Sequence, residues 1–281
     1  VLPKYDQLVD SYGKTLTSKQ YASIGTVKTL LANIYAWMGG QYGDEEYWKK
    51  AELYASEVID GKCGTYKLED DIESLKVNTL GEGRNSNETI FAIEVSSKDY
   101  SYSLTTKFFL YPGILLATYP NFNLSPDEVD YFNTGEDYAR ISVETVEGIY
   151  PDVNDTRRDL FWYNLGTQEF EDGSVSPWAY FDKWSKVIVT TSTVGDDKGK
   201  PVSFEGNRVI WRLADLKLLR AECRARLKME TAVIDLNDIR DRAGLEEYSG
   251  ATESEALRRE IFNERERELF GEGQRYYDIV R

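Results

Sequence analysis

The chain has 281 residues, of which 34 are basic and 49 acidic, so its formal net charge at neutral pH is −15. A chain of this length can bury a sizeable core, and its acidity argues against nucleic-acid binding, because phosphates would be repelled. The absence of histidine excludes Ser-His-Asp and Cys-His catalysis and every His-ligated metal site. Cys63 and Cys223 do not make a disulfide framework, and we expect two free thiols.

Helical spacing of apolar residues predicts a first helix over 20–38, ended by Gly39-Gly40. Asp44 is the candidate N-cap of a second helix over 45–60. Alanines and aromatic residues on the facing sides of the two helices indicate a tetratricopeptide-like antiparallel pair. The predicted apolar stripe of the first helix comprises Ile24, Val27, Leu30, Leu31, Ile34 and Tyr35.

A second pair of helices is predicted over 209–227 and 231–242. A further helix over 253–270 follows, with Thr252 as candidate N-cap and Glu255 completing a capping box. Hairpins of this kind cannot bury their apolar faces alone and stack on one another. Two pairs and a terminal helix therefore predict a partial solenoid.

The stretch between these helical blocks has the composition of loops, short helices and hairpins. Thr89–Val95 alternates in the manner of a strand, and 187–193 is rich in β-branched residues and is a second strand candidate. The aromatic residues of this stretch fall into clusters rather than on one helical stripe. We therefore expect irregular structure mounted on a helical scaffold.

The last stretch, 257–281, breaks the apolar row of its helix with charges. Arg265 occupies the position one turn after Ile261, and Glu264 and Glu268 flank it. This pattern alone fits a solvated surface helix laced with salt bridges, but a buried charge requires a partner. Our hypothesis is a partly buried network that locks the last helices onto the solenoid, with an architectural role, formed by Glu264, Arg265, Glu268, Arg275 and Asp278.

The same stretch resembles the C-terminal signature of SusD/RagB proteins in the order Glu264-Arg265-x-x-Glu268-Leu269-Phe270-x-Glu272-Gly273-x-Arg275-x-x-Asp278-x-x-Arg281. Three earlier stretches, 28–59, 87–95 and 211–245, resemble this family in the same order. SusD/RagB proteins are outer-membrane lipoproteins that capture glycans for an adjacent TonB-dependent transporter, SusC. The resemblance implies a SusD-like α-α superhelix, a lipid-anchored position at the cell surface, and a chain longer than 1–281 at both ends.

We therefore predict one mainly α domain over 1–281, in which tetratricopeptide-like hairpins carry a loop-rich insertion that contains short strands. The helical scaffold comprises 20–60 and 209–281. The insertion, 80–206, is the part that we expect to bind ligand, because the resemblance places the glycan site of SusD proteins on the loop-rich half.

Aromatic clusters of the insertion suit sugar binding. A ring can cover the C–H face of a sugar while neighbouring polar side chains hydrogen-bond its hydroxyl rim. Loops over a solenoid also need large residues to bury themselves, which is the competing interpretation of each ring. The SusD site is built on aromatic residues that vary between members, so no motif fixes them. The candidate glycan-binding residues are Trp178, Tyr180, Trp162, Tyr100 and Tyr102.

The leading hypothesis is non-enzymatic capture of oligosaccharide or polysaccharide and delivery to a SusC-like transporter, with no cofactor or metal. The alternative is a tetratricopeptide-type scaffold that holds a protein through Tyr35, Trp37 or Trp48. An enzyme ranks third, because no carboxylate stands in a motif that marks a glycosidase pair. The runs 152–155 and 196–197 could offer oxygen ligands to calcium, but they match no full binding loop and are typical of turns.

Overall fold

The computed structural model describes residues 2–16, 19–81, 86–95, 141–163, 165, 177–184, 187–189, 201–204 and 206–281. After a short 3-10 turn at Tyr5–Gln7, its helices are α1 Ile24–Tyr42, α2 Glu45–Ile59, α3 Ile72–Ser74 with a π-helical continuation Leu75–Leu80, α4 Val143–Ile149, α5 Arg157–Phe161, α6 Leu213–Arg226, α7 Ala232–Arg242, α8 Ser254–Leu269 and α9 Arg275–Val280. Its strands are β1 Thr89–Val95, β2 Ile141–Ser142, β3 Trp162–Tyr163, β4 Trp178–Phe181, β5 Val187–Val189, β6 Pro201–Phe204 and β7 Gly206–Arg212. The predicted mainly α fold with short strands between the helices is confirmed.

Helix α6 lies at the centre of the helical scaffold. Leu216 and Leu219 pack against α1 and α2 in one core, and Leu218 and Ala221 pack against α7 and α8 in a second. Apolar residues on two sides of α6 are what a helix between two cores requires. The two predicted helix pairs and the terminal helix therefore stack on each other through α6.

A third core lies beneath the short strands. Strands β2, β4 and β3 form an antiparallel sheet in that order, while β1 pairs with β7 and β5 with β6. The core includes the buried side chains Leu75, Leu80, Phe161, Phe181 and Trp184. Strands β1, β2, β3, β4 and β7 each contribute side chains to this core, which they share with helical elements.

The glycines predicted to end the first helix lie inside it. Helix α1 continues to Tyr42 and ends at Gly43, whose φ of 67° is left-handed. A Cβ on Gly39 would come within 2.7 Å of the Trp48 ring, so this glycine allows α2 to approach closely. The predicted N-cap of α2 is confirmed, since the backbone N–H of Glu46 donates to Asp44 at 2.9 Å.

The second helix pair begins later than predicted, because 209–212 belong to β7, which pairs with β1. The predicted strand over Thr89–Val95 is confirmed as β1. The predicted capping box of the terminal helix is wrong, since α8 begins at Ser254 and its N-cap, Glu253, makes no side-chain capping bond. Of the candidate strand over 187–193, the first three residues form β5, and 190–193 lie outside the described residues.

The predicted apolar stripe of α1 is only partly correct, since Ile24 and Tyr35 pack against the core but other members point outward. The buried face of the helix is made of small residues, among them Thr29, Ala32 and Ala36, which are fully buried. Leu30 and Ile34, which were predicted to be in the core, are 42% and 44% exposed. Small residues face inward because they let α1 lie close to its neighbours.

The charges of the terminal stretch enter two buried ion-pair networks, of which the first is centred on Glu268. This fully buried carboxylate contacts Arg212 at 2.6 Å, Arg157 at 3.1 Å, and also Arg242. The same guanidinium groups reach further carboxylates: Arg157 reaches Asp155 and Glu264, Arg242 reaches Glu88, and Arg212 reaches Glu88 and Glu272. The network joins α5, β7, α7 and α8, together with Glu88, the residue before β1.

The second network is centred on Arg265, which is 2% exposed. Its guanidinium lies 2.7 Å from Asp278 and 2.8 Å from Asp215. Asp278 also contacts Arg281 at 2.8 Å, and Arg281 contacts Glu222 at 2.6 Å. These bonds fasten α9 to α6 and α8.

Arg275 lies outside both networks, which corrects its predicted role. Its guanidinium contacts Glu266 at 2.7 Å, and about a third of each side chain is exposed. It also covers the ring of Phe262, with 3.8 Å between the guanidinium carbon and the ring centroid. Arg275 lies near the surface because its partner, Glu266, is on a partly exposed side of α8.

Replacing Glu268 with Gln should lower the free energy of unfolding by about 3–5 kcal/mol, because it leaves buried guanidinium groups without their shared carboxylate. Arg275→Ala is the control, and it should cost no more than about 1 kcal/mol as the loss of a surface pair. Denaturant unfolding measures both. Similar losses for the two variants would contradict this assignment.

The second network predicts that the folded protein loses stability at acid pH. Burial would raise the pKa of Glu222, but Arg281 and Arg226 outweigh it and lower that pKa from 4.5 to about 2. Because the folded pKa lies below the unfolded one, the stability that this carboxylate contributes is present above pH 4.5 and lost as the pH falls to about 2. Melting temperatures across this window should fall less steeply in Glu222→Gln than in the unmodified protein. Parallel curves would contradict the linkage.

Candidate functional site

The candidate site is the outer face of the β2–β4–β3 sheet. Trp178 of β4 pairs with Ser142 of β2, and Tyr180 of β4 pairs with Tyr163 of β3. Side chains alternate between the two faces of a sheet. Trp178, Tyr180 and Tyr163 therefore share the face that points away from the third core.

The inner face of this sheet carries Trp162, which the sequence suggested as a sugar-binding residue. Trp162 pairs with Phe181 across the strands, and it is only 3% exposed. Its ring meets Phe181 and Phe270 in edge-to-face contacts, with centroid distances of 5.1 and 5.0 Å. A ring enclosed in this way has no face to offer a sugar, so we assign Trp162 to core packing.

The three outer side chains differ in exposure. Trp178 is partly buried, Tyr163 is 41% exposed, and Tyr180 is 5% exposed. The rings of Tyr163 and Tyr180 lie 6.4 Å apart. Tyr180 therefore packs against Tyr163 and offers little ring surface to a ligand. This corrects its predicted role as a sugar-binding residue. Tyr100 and Tyr102 lie outside the described residues.

Tyr163 is the residue that the sequence analysis overlooked. It follows Trp162 directly, so in a strand the two rings must point to opposite faces. The indole suits the apolar interior, and the phenol, with its polar tip, suits the wet face. Alternation within Trp162–Tyr163 would have been enough to choose the tyrosine.

The end of β4 is anchored to the first ion-pair network. Lys183 is fully buried, and its ammonium donates to the carbonyls of Glu268 and Phe270 and contacts Glu272 at 2.5 Å. Burial lowers the pKa of Lys183 to about 8, although the Glu272 carboxylate opposes the shift. Asp182 accepts from Lys76 at 3.1 Å. Lys183 and Asp182, which could have hydrogen-bonded sugar hydroxyl groups, are thus engaged in bonds that fix the sheet.

In the candidate calcium run at 152–155, side-chain oxygens bond to neighbouring groups of the chain. The Asp152 carboxylate accepts from the backbone N–H of Asn154 at 2.9 Å, and Asp155 pairs with Arg157. Within the described parts of the chain, no cluster of His, Cys, Asp or Glu is arranged to hold a metal ion. The run is a turn closed by its own side chains.

Two clefts occur elsewhere among the described residues. One, of ≈ 380 Å³, lies between the turn after α4 and helix α8, near Asp152 and Asn263. The other, of ≈ 400 Å³, is lined by apolar side chains such as Met229 and Leu257 and by charged ones such as Glu230. Neither includes a residue of β3 or β4.

Comparison with known proteins identifies the family. The SusD family model matches residues 119–281, which is more than half of the chain. The chain belongs to the SusD family. The helix pairs and the terminal ion-pair networks are therefore features of a SusD-family protein.

Solved structures of SusD-family proteins have the same fold. A SusD homolog from Bacteroides thetaiotaomicron is 20% identical with a TM-score of 0.69, and the match covers 100% of this chain and 56% of that one. NanU of B. fragilis is 20% identical with a TM-score of 0.64, and the match covers 93% of this chain and 56% of NanU. A SusD-like carbohydrate binding protein from Bacteroides vulgatus is 18% identical with a TM-score of 0.63, and the match covers 98% of this chain and 48% of that one. The chain thus spans about half the length of these proteins, and at such identity the likeness shows the fold alone. Among curated proteins, none matches the chain.

No helix in the described residues is both long enough and apolar enough to cross a membrane.

The two neighbouring rings of β3 should respond differently to truncation. Trp162→Ala should cost about 3–5 kcal/mol of unfolding free energy, because it opens a cavity in the third core. Tyr163→Ala should stay within about 1 kcal/mol, as surface substitutions usually do. Denaturant unfolding of both variants measures the difference, and a larger loss for Tyr163→Ala would overturn the assignment of faces.

Proposed function

We propose that the protein binds oligosaccharide or polysaccharide on the outer face of the β2–β4–β3 sheet and does no chemistry on it. The observation that carries the proposal is the pair of partly accessible rings, Trp178 and Tyr163, held on a short sheet in a SusD-family chain. A solved structure with this fold is a SusD-like carbohydrate binding protein. Flat aromatic surfaces with polar tips are suited to the C–H faces of sugars.

The affinity that we expect is that of a shallow site, which is the kind of glycan site that the family resemblance implies. A sugar lying on a shallow surface keeps many of its hydroxyl groups in water, so little of the contact area becomes net binding energy. The rigid anchoring through Lys183 limits the ordering cost, since the rings do not have to be fixed on binding. We therefore expect micromolar or weaker binding.

The wider setting follows from family membership. We propose that the helical scaffold, 20–60 and 209–281, serves as a rigid mount and that 80–206 carries the ligand. Captured glycan would then pass to a SusC-like TonB-dependent transporter at the outer membrane, where a lipid anchor would hold the protein. This part of the proposal is supported by the resemblance of the terminal signature and by the family match.

A protein-binding scaffold is the second candidate. Of its predicted contact residues, Trp48 is 5% exposed and covered by the guanidinium of Arg226, 4.2 Å from its ring. Tyr35 is half-buried and stacks on Tyr54, with 5.6 Å between centroids. Trp48 is therefore no longer a contact candidate, and this function would depend on Tyr35 and Trp37.

Affinity electrophoresis across a panel of polysaccharides tests glycan binding. Trp178→Ala and Tyr163→Ala should each weaken retardation about tenfold, as expected for the loss of one ring contact. Tyr12→Ala is the control, because Tyr12 is an aromatic residue at 94% exposure outside the sheet.

Two outcomes would contradict the proposal. If a polysaccharide retards both variants as strongly as the unmodified protein, the binding surface lies outside this sheet. Release of reducing ends from a retarded polysaccharide would replace capture with catalysis.

A further inference from the structure

The negative charge of the chain is concentrated in the insertion, the part that we propose to carry the ligand. Residues 80–206 include 21 acidic and 10 basic residues, which gives this range a net charge of −11. The rest of the chain includes 28 acidic and 24 basic residues, so its net charge is only −4. Less than half of the chain therefore carries most of its net charge of −15.

The basic residues that the structure describes within 80–206 are held by bonds inside the protein. Arg157 and Lys183 are fully buried, and carboxylates of the protein pair with both. Arg158 is partly buried, donates to the carbonyl oxygen of Tyr150 and lies 3.6 Å from the carboxylate of Glu147. An acidic ligand would thus have to compete with the protein's own acceptors for each of these three cations.

Carboxylates, in contrast, are exposed on the two helices that are joined to the candidate sheet. Glu144 lies in the first turn of α4, two residues after Ser142, which pairs with Trp178. Asp159 lies on α5, four residues before Tyr163. Both acidic residues are exposed. Like charges repel each other over about 8 Å at physiological ionic strength, so an anionic group would be disfavoured beside them.

We propose that the glycan bound at this sheet is uncharged, built of sugar units without carboxylate, sulfate or phosphate groups. The inference rests on the proposed glycan binding and narrows its ligand class. Contact with Trp178 and Tyr163 requires only the C–H face of a sugar ring, which an uncharged sugar offers in full. An acidic sugar would make the same contact against the repulsion of the insertion, and repulsion of this kind is a common source of specificity.

Matched forms of one polymer test the inference. A neutral polysaccharide that retards the protein in affinity electrophoresis is carboxymethylated, which places carboxylates on the same backbone. Retardation should weaken about tenfold at about 0.01 M salt, where screening is weak, and recover in part at about 1 M salt. The methyl ester of the carboxymethylated polymer keeps the added atoms without their charge, so it should retard the protein as the neutral polymer does.

A charge-removing variant locates the repulsion. The double variant Glu144→Gln/Asp159→Asn should raise the ratio of retardation by the carboxymethylated polymer to retardation by the neutral polymer about threefold, as expected for the loss of exposed charge pairs. Glu247→Gln is the matched control, because Glu247 is an exposed acidic residue of the scaffold outside the sheet. It should leave the ratio unchanged.

The outcomes separate this inference from glycan binding itself. Equal retardation by the neutral and carboxymethylated polymers, or a loss that methyl esterification does not reverse, would overturn the inference and leave glycan binding in place. The same holds for a ratio that the double variant does not change, and for a panel in which only acidic polysaccharides retard the protein. Absence of retardation by every polysaccharide would refute the proposed function and the inference together.

Discussion

The bonds of the Glu268 carboxylate are the constraint on which the rest of the structure depends. A fully buried carboxylate would be costly alone, but here Arg157, Arg212 and Arg242 share it. Each of those arginines arrives from a different part of the chain. Buried ion pairs of this kind often add little net stability, yet removing one partner is expensive. We therefore regard the network as a device that fixes how the elements dock, since any other arrangement would leave charges buried without partners.

The same network connects the scaffold with the candidate site. Lys183 lies two residues after the end of β4, and its ammonium contacts Glu272 and the carbonyl of Glu268. The strand that carries Trp178 is therefore tied to the terminal helix through a lysine that could have been expected to face solvent. The family signature and the candidate face are in this way parts of one structure. The signature holds the candidate face in place through Lys183.

Sequence patterns predicted the helices well and the directions of side chains poorly. Periodicity located the helix pairs, and the broken row at Arg265 indicated paired charges. The inward face of α1 was missed because close packing favours small residues there, so that Leu30 and Ile34 lie outside. Trp162 was misassigned because composition shows that a ring is present, whereas alternation along a strand decides which way it points. Partners from distant segments, such as Glu88 for Arg212 and Arg242, cannot be read from local spacing.

Amide hydrogen exchange in a Lys183→Met variant tests the central claim most directly, since this change removes the link between β4 and the network while Glu272 keeps Arg212 as a partner. The account predicts faster exchange for the amides of β4, with the amides of α1 and α2 as protected as before. Unchanged protection in β4 would contradict the claim that the terminal carboxylates hold the aromatic face in place.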